Sequence, residues 1–156
     1  MFFTDRLKSM TEEELEEFNK TVFMYMDGPL AMEMRTAYYR QQLKYMGENV
    51  KIGCGVKIVN PQYVSIGRNV QIDDNCTLVA VGKNGITLED GVVLKHRVYL
   101  DTETPEGYIK IGKSTYIGTS CCLHGHQGLE IGEDVLLAQN ITITPYSHIF
   151  QNRDDK

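Results

Sequence analysis

From residue 46 onward, aliphatic side chains recur at every sixth position. Met46, Ile52 and Ile58 begin the series, followed by Ile66, Ile72 and Leu78, then Leu88, Leu94 and Leu100, then Ile111, Ile117 and Leu123, then Ile131, Leu137 and Ile143. The triplets start 20, 22, 23 and 20 residues apart, so the extra residues always follow the third member. Four residues after the first and second members stand Val50, Val56, Val70, Cys76, Val92, Val98, Thr115, Cys121, Val135 and Ile141, every one small, β-branched or Cys. One residue after the same members come Gly47, Gly53, Gly67, Gly112, Gly118 and Gly132, with Ala138 in a further place. A helix shows a period near 3.6 and a half-buried strand a period of two. A period of six is neither.

The pattern predicts a prism with three flat faces. One hexad makes a face, three hexads make a coil, and about five coils stack as parallel strands about 4.8 Å apart. The aliphatic residues point into a narrow interior, where each contributes about 1.5–3 kcal/mol by burial. The small residues fit beside them near the corners. The glycines are expected where the backbone takes angles that a side chain resists. All insertions fall at one corner, so the loops should line a single edge.

Residues 1–45 differ in kind. Thr11 followed by Glu14 is a capping-box pattern, and glutamates fill the first turn of the helix it opens. Gly28-Pro29 breaks that helix, and Pro29 suits the first turn of a second. The second helix, through Leu30, Met34, Tyr38 and Leu43, is expected to end at Gly47. Two amphipathic helices covering something apolar make a helical arm over 1–45, ahead of the repeat over 46–156.

Composition narrows the function classes. A chain of 156 residues is one domain, or one domain plus an arm. It carries 16 basic and 21 acidic residues, a formal charge of −5. No basic cluster marks it for nucleic acid. No apolar run reaches the ~20 residues of a membrane helix, and the N-terminus soon runs into Glu12, Glu13, Glu14, Glu16 and Glu17, unlike a signal peptide. The four cysteines at 54, 76, 121 and 122 have no metal-binding spacing. They read as reduced thiols in a cytoplasmic protein. Cys121 is expected in the core, and Cys122 outward with no base spaced to activate it.

Ile52-Gly53-Cys54-Gly55-Val56, Ile66-Gly67-Arg68-Asn69-Val70 and Ile131-Gly132-Glu133-Asp134-Val135 resemble the hexapeptide repeats of the left-handed parallel β-helix acyltransferases. The left-handedness comes from this resemblance, since parallel crossovers are right-handed in about 98% of cases. Leu136-Leu137-Ala138-Gln139-Asn140-Ile141-Thr142-Ile143, followed shortly by His148, is similar to the segment carrying the catalytic histidine in maltose, galactoside and cell-surface polysaccharide O-acetyltransferases. The resemblance implies an acetyl-CoA-dependent O-acetyltransferase acting on a sugar or polysaccharide hydroxyl. It also implies a homotrimer with active sites in the grooves between prisms. His148 would be the general base. The thioester is already activated and the hydroxyl is a poor nucleophile, so one base near neutral pKa is the main missing ingredient. His124 and His126 are expected along the same edge as acceptor contacts or as orienters of that base, and Tyr146 as an acceptor contact. His96 falls on an outward position of the second face, where water is its expected partner.

Two rivals come from other classes. The family's zinc branch resembles a three-histidine site with an H-x4-H pair, whereas this chain has H-x-H at 124 and 126, so no metal is expected. A catalytically silent scaffold is the other. Family members usually continue past the histidine loop with further coils, while this chain stops at Lys156, so the β-helix reads as C-terminally incomplete.

Overall fold

The structure, a computed structural model, describes residues 9–145. Helix α1 spans Glu12–Tyr25 and opens with the expected capping box: Thr11 Oγ1 accepts from the Glu14 N–H at 3.2 Å, and Glu14 Oε2 accepts from the Thr11 N–H at 2.9 Å. Helix α2 spans Pro29–Arg40, with Pro29 in its first turn. It ends at Arg40, about two turns before Gly47, the end that periodicity predicts. The Lys44 N–H already donates to the Val64 carbonyl at 3.0 Å, so pairing with the next coil takes over from the helix. Leu43 is still buried, but from the turn after α2.

Among the described residues fifteen short strands follow, and they form three parallel five-stranded sheets. The first sheet holds β1 (Tyr45–Met46), β4 (Val64–Ile66), β7 (Ile86–Leu88), β10 (Ile109–Ile111) and β13 (Leu129–Ile131). The second holds β2 (Lys51–Ile52), β5 (Gln71–Ile72), β8 (Val93–Leu94), β11 (Tyr116–Ile117) and β14 (Leu136–Leu137). The third holds β3 (Lys57–Val59), β6 (Thr77–Val79), β9 (Tyr99–Asp101), β12 (Cys122–His124) and β15 (Thr142–Ile143). Consecutive strands never share a sheet. The chain therefore winds as a parallel β-solenoid, with four coil-to-coil steps on each face.

The register is the one the hexads dictate. Met46, Ile66, Leu88, Ile111 and Ile131 are stacked partners on the first face. Ile52, Ile72, Leu94, Ile117 and Leu137 stack on the second, and Ile58, Leu78, Leu100, Leu123 and Ile143 on the third. All are buried except Leu137 and Ile143 in the last coil, which are half-buried. The connections after the third face, through Pro61–Tyr63, 80–85, 102–108 and 125–128, all return to the first face at one corner, as the insertions predict.

The glycines have a different cause from the one expected. Gly47, Gly53, Gly67, Gly112 and Gly118 do not have left-handed φ; instead the next coil passes directly over them. A Cβ on Gly118 would lie 2.6 Å from the carbonyl carbon of Ala138, closer than any real contact. The left-handed residues stand two places further on. They are Asn49, Gly55, Asn69, Asn75, Gly91, Arg97, Ser114, Ser120, Asp134 and Asn140, with φ between 55° and 73°. Asn, Asp, Ser and Gly predominate there because a short polar side chain, or none, tolerates the αL corner best.

Both helices close over the first coil. Met24, Tyr39 and Leu43 join the same apolar cluster as Met46, Val50 and Ile52. Arg35, only 2% exposed, fastens them: its Nε donates to the Ile52 carbonyl at 3.0 Å, and Nη1 to the carbonyls of Phe23 at 2.7 Å and Met26 at 2.6 Å. The Tyr39 hydroxyl donates to the Val56 carbonyl at 3.0 Å, and burial pushes its phenol up to about 12.

Ile117, fully buried on β11 between Leu94 and Leu137, gives a direct test of the stacking. Ile117→Asp puts an unpaired carboxylate inside the prism at a cost of several kcal/mol. The expected outcome is loss of the cooperative unfolding transition and of the β-sheet circular dichroism signal. A folded Ile117→Asp protein with native spectra would refute the register.

Candidate active site

The third face gathers the titratable and nucleophilic side chains of the candidate site. β9 and β12 lie side by side, with Cys122 opposite Tyr99 and His124 opposite Asp101. Side chains two apart on a strand share a face, so Tyr99, Asp101, Cys122 and His124 all project outward from the sheet while Leu100 and Leu123 fill the core. Just past β9 the chain enters the insertion corner. Thr102 is buried, with its Oγ1 accepting from the Val81 N–H at 2.8 Å. Glu103 then takes a left-handed φ of 58°, and its N–H donates to Asp101 Oδ1 at 2.7 Å. That bend carries the Glu103 carboxylate back over His124.

Three side chains come together there. His124 Nδ1 lies 3.0 Å from Glu103 Oε1, and His124 Nε2 lies 3.2 Å from Cys122 Sγ. A carboxylate can only accept, so the neutral imidazole carries its proton on Nδ1, assigned from these partners, and turns the Nε2 lone pair toward the thiol. The side chains of His124 and Glu103 are 24% and 22% exposed, reachable from solvent yet held on most sides. His126 Nδ1 stands 3.9 Å from Glu103 Oε2, a second imidazole beside the same carboxylate. Its loop is held by Thr104, whose Oγ1 donates to the His126 carbonyl at 2.8 Å and accepts from the Gly107 N–H at 3.0 Å.

Acidic neighbours set the charge state. The Tyr99 hydroxyl donates to Asp101 Oδ2 at 2.6 Å, and this bond, with burial, pushes the phenol up to about 12. Burial first, then the charges of Asp101 and Glu103, hold the Cys122 thiol above the ordinary cysteine range. The thiol rests protonated, and the base beside it is in place to take that proton.

The expected site residues divide cleanly. His124 and His126 do gather at the insertion corner around one carboxylate. Tyr146 and His148 lie outside the described residues. His96 is on the second face, with Nε2 3.7 Å from Asp73 Oδ2 and Nδ1 3.8 Å from Asp74 Oδ2, and its side chain is 46% exposed. Burial raises the pKa of Asp73, but hydrogen bonds from Lys95 and Gln71, with the adjacent Lys95 charge, bring it below the usual carboxylate range. The expectation that no base is spaced to activate Cys122 is wrong: His124 is two residues on, which in a strand is the same face. Glu103 is absent from the residues that the sequence singles out. The register could have found it, because His124 sits opposite Asp101 and Glu103 is two residues beyond that partner. Among the described residues, no group of three or more His, Cys, Asp and Glu side chains is arranged to hold a metal ion. None of their helices is long and apolar enough to cross a membrane.

No known protein family and no curated protein matches the chain in sequence. Solved structures do match in shape. The chain is similar to a mutant of AntD, an N-acyltransferase from Bacillus cereus in complex with dTDP and coenzyme A, with a TM-score of 0.54 and 19% identity over 78% of this chain and 80% of that one. A hexapeptide-repeat-containing acetyltransferase from Vibrio cholerae O1 biovar eltor, complexed with acetyl coenzyme A, aligns with a TM-score of 0.43 and 13% identity over 82% of this chain and 85% of its own. At such identities the likeness to AntD is one of fold.

The proton on His124 can be observed. Neutral His124 is expected as the Nδ1–H tautomer, read from long-range ¹H–¹⁵N correlations of the ring, because Glu103 holds that proton. Glu103→Ala should release the preference. An Nε2–H tautomer in the unaltered protein would show that the Glu103–His124 bond does not form.

Proposed function

We propose that this chain is an acyltransferase with acetyl-CoA as donor and a sugar or polysaccharide hydroxyl as acceptor. The observation that carries the reading is the His124–Glu103 pair at 3.0 Å on the solenoid's outward face. Acyl transfer from a thioester needs a base to strip the attacking group, and a base works best when a carboxylate fixes its tautomer and stabilises the imidazolium that forms. Glu103 holds Nδ1–H and leaves Nε2 as the accepting nitrogen. The fold shared with AntD, an N-acyltransferase solved with coenzyme A and dTDP, supports a CoA thioester as donor. His126, on the same carboxylate, is suited to contact the acceptor.

On this reading the base is His124 rather than the His148 expected from the sequence. Tyr146 keeps its role as an acceptor contact and His148 is the alternative base; both lie outside the described residues. A cyclic homotrimer fits the reading, because the pair lies on a flat outward face and a neighbouring prism would convert that face into a groove.

Turnover of acetyl-CoA with hydroxyl and amino sugars tests this. His124→Ala is expected to lower kcat about 10²–10⁴-fold with little change in KM for acetyl-CoA, and to alter stability by less than about 1 kcal/mol. Glu103→Gln should act in the same direction by a smaller factor. His148→Ala should keep more than about a tenth of the turnover. If His148→Ala abolishes turnover while His124→Ala keeps it, the base is His148. A protein that neither turns over acetyl-CoA nor melts at a higher temperature in its presence is the silent scaffold.

A further inference from the structure

The accepting nitrogen of the base faces a thiol of the same strand, Cys122 Sγ, at 3.2 Å. We propose that Cys122 is a nucleophile that takes the acyl group first, so that transfer proceeds through an S-acyl-Cys122 intermediate with His124 and Glu103 as its base and orienter. The inference rests on the acyltransferase reading above and changes its chemistry from direct attack to two half-reactions.

The geometry carries it. Sγ lies 3.2 Å from His124 Nε2, and Nδ1 of the same ring lies 3.0 Å from Glu103 Oε1, so nucleophile, base and orienting carboxylate stand in line. Register makes the arrangement rigid: Cys122 and His124 are locked two apart on β12 against β9, and Glu103 is tied to Asp101 through its own N–H. The remaining cysteines lack this setting. Cys76 and Cys121 are buried, with their thiols on the carbonyls of Lys95 and Ala138, and the Cys54 thiol lies on the Tyr25 carbonyl. Cys122 is half-buried on the outward face, with its thiol on the imidazole.

Each step balances. Sγ–H gives its proton to His124 Nε2 as Sγ attacks the carbonyl carbon of the acyl-CoA thioester. The tetrahedral intermediate collapses with cleavage of the carbon–sulfur bond to CoA, and His124 returns the proton to the departing CoA thiolate. One thioester has replaced another, with no oxidant or reductant. In the second half, the acceptor hydroxyl gives its proton to Nε2 while its oxygen attacks the acyl carbon on Cys122. The Cys122–acyl bond breaks and the thiolate recovers the proton. Because burial, and then the charges of Asp101 and Glu103, keep the thiol protonated at rest, the thiol depends on His124 at the moment of attack, unlike a preformed thiolate.

The test is to incubate the full chain with acetyl-CoA in the absence of acceptor and to map the adduct by peptide mass spectrometry. The expected result is one acetyl group on Cys122, removed by neutral hydroxylamine, absent from Cys122→Ala and strongly reduced in His124→Ala. Double-reciprocal plots with acceptor should be parallel, as in ping-pong kinetics. Turnover in Cys122→Ala should fall at least about ten-fold, with its melting temperature kept as a check on folding. Cys122→Ser should trap the acyl group as a slowly hydrolysed ester. The proposal is overturned if Cys122 stays unmodified by both acetyl-CoA and p-nitrophenyl acetate, or if the label sits on Cys54. It is also overturned if Cys122→Ala keeps turnover and intersecting kinetics while His124→Ala loses turnover; that result leaves the acyltransferase reading intact with direct attack. Loss of neither variant's turnover defeats both.

Discussion

Everything in this molecule depends on how closely one coil can pass over the next. The strands are two or three residues long, too short to hold their own conformation, and gain their hydrogen bonds only from the coils before and after. That spacing allows no backbone irregularity along a column. Where the next coil crosses, as at Gly53 and Gly118, a single Cβ would collide with peptide atoms at 2.6–2.7 Å. Where the chain turns a corner, the backbone must enter the left-handed region, as at Asn69 and Asn140. The aliphatic column then fills what remains, a core one side chain wide that no single hexad could close alone.

A rigid register also turns sequence offsets into contacts. Residues 20 to 23 apart become neighbours, so a functional group can be assembled from adjacent coils with no dedicated loop architecture. Cys122 and His124 come from one strand and Glu103 from the corner after the strand beside it. The cluster stands beside the corner where the repeat is interrupted. Glu103 reaches His124 through a left-handed bend three residues after Leu100, the same offset at which Arg97 follows Leu94. Stability and chemistry are thereby separated: the columns tolerate almost no change in size, while the insertion corner can vary without disturbing them.

The same division explains what could be read from the sequence. The fifteen aliphatic positions and their register follow from periodicity alone, because a repeating environment imposes a repeating demand. The glycine positions were equally legible, but their cause was not: close approach between coils and a left-handed φ both select glycine, and only the Asn, Ser and Asp residues two places on distinguish them. The end of α2 was set by a non-local partner, the Val64 carbonyl, which helix periodicity does not contain. His124 and His126 stood out as a pair. Their partner Glu103 did not, because a carboxylate at a corner position looks like any solvated charge until the register sets it two residues beyond Asp101, the residue opposite His124.

Cys122 shows how a correct local inference can hide a functional one. Counting outward positions places it on the surface, as the structure does. The same alternation applies to its neighbour: an outward Cys at one position makes the residue two ahead outward too, and that residue is His124. In a helix the same spacing would point the two side chains to different faces, and the thiol would be an isolated surface group. In a strand it brings them within 3.2 Å. The chemistry of Cys-x-His is therefore a property of the element that carries it, and here that element exists only because Leu100, Leu123 and Ile143 stack beneath it.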